Sequence, residues 1–357
     1  MSVHYPQIAL QKSLCLLLVI FTHALLPFAP PNPFWTLYAD APAQGAGGLA
    51  TLFSVILIPS FVFASGFLFE NTLQIKRYGF WAMLASRTRR LLLPWFLVML
   101  FWLAPLYVYF DIPVFMRPAG TPLVDTYILG LKGQFVDHLW FLPVLFWTTL
   151  FWLLCRPFLR PGMHRPEAPR WAGWALAFAA ALIMQVFGSG LTWFCLWETT
   201  GPLIQFYLGM RVYPYRDRLD ALLAACPMLV SFVLVAPMLL LLPYAYSHFL
   251  LTWLLGLCGA LFMYTLCFFV SRRLYPRMKK NRVWAFYESN AFRFYLFHMP
   301  TPLVAFALLY PTGMFSPWAC IFCVTVITLA VTAAVVYASR GLQNMGPRIL
   351  ERMRHHG

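Results

Sequence analysis

Charge is what this sequence has least of. Asp, Glu, Lys and Arg make up 10% of its 357 residues, and only eleven of them are acidic. Soluble domains carry about one quarter charged residues, so a water-exposed globular surface is excluded over most of the length. The dyad alternation of outer-membrane β-strands is absent too. No internal repeat stands out, and no linker leads to a soluble domain. No small-residue cleavage site follows the first apolar run, so a cleavable leader is not expected. Apolar residues fill the chain instead: 61% are hydrophobic and the mean hydropathy is +0.71. Apolar segments of about twenty residues recur along nearly the whole sequence, the length that spans a bilayer as a helix. The expected class is an all-α, polytopic membrane helix bundle.

Ten spans are expected, at roughly 8–29, 49–70, 91–110, 138–155, 171–188, 192–210, 221–243, 249–270, 289–310 and 318–339. Residues 1–340 would form one integral-membrane domain and 341–357 a short basic tail. The net charge is +15, and its placement is informative. Segments 71–90, 156–170, 211–220, 271–287 and 340–357 hold 22 of the 26 Lys and Arg residues. The connections between them hold little more than Arg117 and Lys132. This is the positive-inside pattern, which puts both termini in the cytoplasm and makes the lipid bilayer, not nucleic acid, the expected partner. Residues 30–48 and 111–137 become long outer connections, the second able to cover an outward-facing cavity.

The eight cysteines fall in or beside apolar runs. Cys320 and Cys323 have metal-like spacing but no second ligand pair, so buried small hydrophobes are expected and no metal.

Against this apolar background a few polar residues stand out. Lys12 and His23 lie eleven positions apart in the first span. Eleven residues turn about 1100°, within about 20° of whole turns, and cover about 16 Å of axis. The two therefore share a helix face, and an ionisable group inside a span is a candidate functional group. A histidine that titrates near neutrality can act as general base on a hydroxyl; alternatively His23 bonds a neighbouring helix and Lys12 snorkels to the interface. Arg87 and Arg90, three apart, can share a face at the inner edge of the third span and hold phosphates, although positive-inside topology would also put arginines there. Asp137-His138 opens the fourth span, as an orienting pair, an acceptor site or a solvated helix start. Glu198 and Arg293 are opposite charges within or near spans, able to pair or to line a cavity. Ser65 precedes Gly66, where another helix or a thin ligand arm can approach. His298 sits mid-span, and Trp140 is an interfacial anchor or a cavity wall.

Several of these pieces resemble one known family. A basic residue, ten positions and a histidine in the first span is similar to the acyltransferase-3 family of integral-membrane acyltransferases. Pro59-Ser-Phe-Val-Phe-Ala-Ser65-Gly66-Phe67-Leu68 resembles its Ser-Gly-Phe/Tyr-Leu signature, and Arg87-Thr88-Arg89-Arg90 before Leu91-Leu-Leu-Pro94 its Arg-x-x-Arg motif. His138-Leu139-Trp140-Phe141-Leu142, Phe206-Tyr207-Leu208-Gly209-Met210 and Tyr295-Leu296-Phe297-His298-Met299-Pro300 are similar to three further segments. Six matches run in order across residues 12–300. Two positions depart: Lys12 stands where the family has arginine, keeping the charge without the bidentate fork, and Ala291 stands where the family often has serine.

The resemblance implies a multi-pass protein of the bacterial cell inner membrane that takes an acyl group from cytoplasmic acyl-CoA, acetyl-CoA first, as co-substrate rather than resident cofactor. The acceptor would be a hydroxyl of a sugar, glycan, glycolipid or exported polysaccharide, with components of a polysaccharide synthesis or export system as candidate partners. Lys12, Arg87 and Arg90 would hold the donor, and His23 would be general base or transient acyl carrier. Ser65, Asp137, His138, Trp140, Glu198, Arg293 and His298 are the acceptor or cavity candidates. A transporter or flippase, with His23, Glu198 and Arg293 lining a path, is the alternative of another class, although the inverted repeats that would favour it are not visible. A non-catalytic export subunit is a third reading.

Overall fold

The computed structural model describes residues 5–29, 38–40, 42–76, 78–113, 117–134, 137–159, 171–188 and 193–355, without the side chains of residues 76, 137, 228 and 341–355. Every regular element among the described residues is helical. The main ones are α1 (Pro6–Leu25), α2 (Ala46–Lys76), α3 (Phe80–Tyr109), α4 (Leu123–Leu131), α5 (Phe141–Leu159), α6 (Ala172–Phe187) and α7 (Thr200–Ala225). They are followed by α8 (Pro227–Leu241), α9 (Phe249–Arg273), α10 (Tyr275–Lys280), α11 (Arg282–Ser289), α12 (Ala291–Phe297), α13 (Thr301–Leu309) and α14 (Pro317–His355).

Among the described residues six helices are long and apolar enough to cross a membrane, and up to eight spans result if each bent pair counts as one. The chain is thus a multi-pass membrane protein. The expected ten segments are nearly all found as helices, but α6 is a shorter apolar helix of 16 residues. The segments expected at 192–210 and 221–243 belong to one pair bent by 93°, broken around Cys226-Pro227. Pro227 carries no N–H and is tolerated at a helix start, so the sequence itself supplies the break.

Helix α2 is the hub, packed against α1, α7 and α9. Its contact with α7 is backbone to backbone. A Cβ on Gly66 would lie 2.0 Å from the Phe206 carbonyl oxygen, and one on Gly209 would lie 2.0 Å from the carbonyl oxygen of Phe63. Only glycine fits at either position, and this explains the glycines of the two motifs as packing devices. The small-residue reading at Ser65-Gly66 therefore resolves to helix contact. Ser65 itself donates to the Phe61 carbonyl of its own helix, 2.8 Å away.

Helix α3 contains two wide turns, Thr88–Leu92 and Met99–Leu103, each ending just before a proline-bearing turn. Pro94 and Pro105 cannot donate to the carbonyl four residues back, and the i→i−5 bonds Leu93 N to Thr88 O and Ala104 N to Met99 O reconnect the ladder. One such turn begins directly after Arg87 and carries Arg90.

The connection after α3 is organised by Arg117, which is 1% exposed. Its guanidinium donates to Thr126 Oγ1 (3.1 Å) and to the carbonyls of Ile112 (2.8 Å) and Thr121 (3.1 Å). Burial pushes its pKa down, with Asp111 opposing that shift. Helix α4 lies against the end of α3, where the Tyr127 hydroxyl donates to the Leu100 carbonyl (2.9 Å).

Candidate active site

The site begins with a broken helix. Helical continuity after α12 is interrupted at Met299-Pro300, and α13 leaves at 56° to α12. A helix end leaves its last carbonyls without intrahelical donors. Here those carbonyls are taken by side chains. His298 Nδ1 donates to the Tyr295 carbonyl at 2.8 Å, and His138 Nε2 donates to the Leu296 carbonyl at 3.3 Å. Trp102 of α3 donates from Nε1 to the Met299 carbonyl at 2.7 Å. The Tyr295 hydroxyl donates in turn to the backbone carbonyl of His138. The break in α12–α13 thereby fixes residues from α3, the start of α5 and its own turn.

His23 of α1 completes a three-histidine cluster. Its Nδ1 lies 3.0 Å from His298 Nε2, with the two ring planes within 7° of parallel. The His138 ring is 4.5 Å from that of His298, centroid to centroid. His298 is fully buried, His138 is 5% exposed and His23 is half-buried. His23 and His138 line a cavity of about 40 Å³ with Val19, Ile58, Phe61, Trp140, Phe141 and Tyr295. That is room for a small polar group such as a water or a hydroxyl.

The other pole of the α1 face is basic. Lys12 is exposed although it sits about two turns inside α1, and the charge of Arg87 acts on it. Arg90 acts in turn on Arg87, whose guanidinium lies 5.7 Å from the ring centroid of Phe69. No carboxylate among the described residues pairs with any of the three. Lys12 and Arg87, and Arg87 and Arg90, are close enough to repel one another, and a bound anion would relieve that cost.

The candidates named from sequence divide accordingly. The structure brings His23, His138, His298 and Trp140 together, and gathers Lys12, Arg87 and Arg90 at a second place. The plainer reading of His138 as a solvated helix start does not hold, since it is buried in the cluster. The Asp137 side chain lies outside the described residues. Glu198 and Arg293 do not pair with each other. Glu198 sits in a turn packed on α5, α6 and α7, and its Oε2 is buried without a hydrogen bond. Arg293 lies on α12, packed on α1, α3 and α14, and donates to Asn290 Oδ1 at 3.0 Å. Their elements are not neighbours, which is why opposite charge alone misleads. Ser65 is bonded within α2 and does not line the cavity.

Trp102 and Phe61 are site residues that were not singled out from sequence, and Tyr295 entered there only as the first residue of a motif. Pro300 was the available signal: it marks where carbonyls would need side-chain donors, although it does not say which ones.

Comparison with known proteins agrees with this picture at the level of family. Neither curated proteins nor solved structures give a match. The family described as "Acyltransferase domain" matches residues 6–337, which contain every candidate above. The chain, an all-helical multi-pass protein with a buried histidine cluster, belongs to this acyltransferase-3 family and is an acyltransferase.

Proposed function

We propose that this acyltransferase moves an acyl group, acetyl in the first instance, from cytoplasmic acyl-CoA to a hydroxyl of a sugar on a glycan, glycolipid or exported polysaccharide. Its setting would be the bacterial inner membrane, with the basic segments and both termini inside. One observation carries the reading: a hydrogen-bonded histidine lining a small cavity shares the α1 face with Lys12, which lies within electrostatic range of Arg87 on α3, and no carboxylate among the described residues pairs with Lys12, Arg87 or Arg90. The cations suit the phosphates of coenzyme A, and arginine pairs are well matched to them.

The chemistry then follows. His23 takes the proton of the acceptor hydroxyl as its oxygen attacks the thioester carbonyl. The new C–O bond forms, the C–S bond breaks, and the coenzyme A thiolate leaves to take up a proton. The same nitrogen could instead carry the acyl group in a two-step transfer. The cavity as it stands admits a small group rather than a whole ligand, whose site usually takes about 300–1,000 Å³.

The test is purified protein in proteoliposomes with radiolabelled acetyl-CoA inside and glycan acceptors outside. Label should reach the acceptor, and His23→Ala should abolish it. Solute movement with no thioester cleavage would instead support a transporter. Deleting the chain should shift the mass of an envelope glycan by one acyl group, which names donor and acceptor together.

A further inference from the structure

We propose that His298 is a positioning residue that sets the protonation pattern of His23, so that Nε2 of His23 is the nitrogen that accepts the proton. The inference rests on the reading of His23 as the base, and its geometry stands independently of the acceptor.

The argument starts from a carbonyl, which can only accept. His298 Nδ1 lies 2.8 Å from the Tyr295 carbonyl oxygen and must therefore carry a hydrogen. A neutral imidazole has one N–H and one lone pair, so His298 Nε2 holds the lone pair. His23 Nδ1, 3.0 Å away, must then be the donor to it. The lone pair of a neutral His23 is thereby assigned to Nε2. When Nε2 takes a proton, the positive charge on His23 faces the Nε2 of His298 across the existing hydrogen bond. The charge is stabilised, or passes by proton transfer to His298, whose Nδ1–H remains anchored on the Tyr295 carbonyl.

The backing group is neutral at rest, unlike the carboxylate that holds the histidine of a serine-hydrolase triad. A carboxylate would add a buried charge to the cluster at a desolvation cost. Two neutral imidazoles and a backbone carbonyl fix the same pattern without one.

Pro300 explains why the carbonyls are available. In a continuous helix the N–H of residue 300 would bond the carbonyl of Leu296, but proline has none. The Leu296 carbonyl is left to His138 Nε2, and the turn frees the Tyr295 carbonyl for His298. The short motif from Tyr295 to Pro300 thus works as a single device that orients two imidazoles directly and a third through them.

Two variants and one spectroscopic measurement test this. His298→Gln keeps an acceptor at the position of Nε2, whereas His298→Phe keeps the ring shape and offers none. His298→Phe should lower kcat about 100-fold with the KM for acetyl-CoA within about twofold of the parent, in line with loss of an oriented base. His298→Gln should recover activity to within about tenfold of the parent. Nitrogen-15 resonances of His23 should be of the N–H type at Nδ1 and the lone-pair type at Nε2. Full activity in His298→Phe, or a folded His298→Gln as inactive as His298→Phe, would overturn the proposal. The reverse nitrogen pattern would overturn it whether or not an acceptor has been found. A correct nitrogen pattern in a protein that does not acylate sugars would uphold it and sink only the choice of acceptor.

Discussion

At the scale of single residues, Lys12 is the most direct test of how the donor is held. It is exposed, carries no carboxylate partner among the described residues, and is repelled by Arg87. Lys12→Ala should raise the KM for acetyl-CoA about tenfold with little change in kcat, the size expected for losing one charge-assisted contact. Lys12→Arg should bind the donor at least as well, because the fork adds geometry to the same charge. Initial rates at varied acetyl-CoA decide both. The glycines make a second residue-scale case. Gly66→Ala would put a methyl against a backbone oxygen that cannot move without parting α2 from α7. It should cost about 1–3 kcal/mol or more, seen as a lower melting temperature in detergent. Gly48→Ala, with open space around it, should not.

At the scale of elements, the site is made by where helices stop. The Lys12–His23 face was legible from periodicity alone, because eleven residues close on three turns. The histidine cluster was not, because His138 and His298 are 160 positions apart and meet only where the helix breaks at Pro300. Opposite charge suggested Glu198 with Arg293, and tertiary packing set them on different neighbours. Restoring the missing donor should therefore disturb the site without touching a histidine. Pro300→Ala supplies an N–H that competes with His138 for the Leu296 carbonyl, and kcat should fall about tenfold while acetyl-CoA still binds. Unchanged turnover would show that the proline serves only the bend.

At the scale of the whole molecule, composition and charge placement made the class legible, while the span count was not. Hydropathy marks apolar helices without fixing how they cross: α7 and α8 are joined by a 93° bend at Cys226-Pro227, which fits either two spans or one broken span. The topology read from the positive charges has a simple check. Cys226 is an exposed native thiol beside the basic stretch of α7. A membrane-impermeant maleimide should reach it only after cells are permeabilised, whereas Ser247→Cys, in the exposed turn after α8, should label in intact cells. The opposite pattern would invert the molecule and put Lys12, Arg87 and Arg90 on the wrong side for cytoplasmic donor. The central claim assigns donor binding to those cations and proton transfer to His23, so the most direct measurement is kcat and KM for acetyl-CoA in His23→Ala and in the Arg87→Ala, Arg90→Ala double variant. The account predicts that His23→Ala loses kcat by at least about 100-fold with KM nearly unchanged, and that the arginine variant raises KM with kcat largely kept; a His23→Ala protein that still turns over at the parent rate would contradict it.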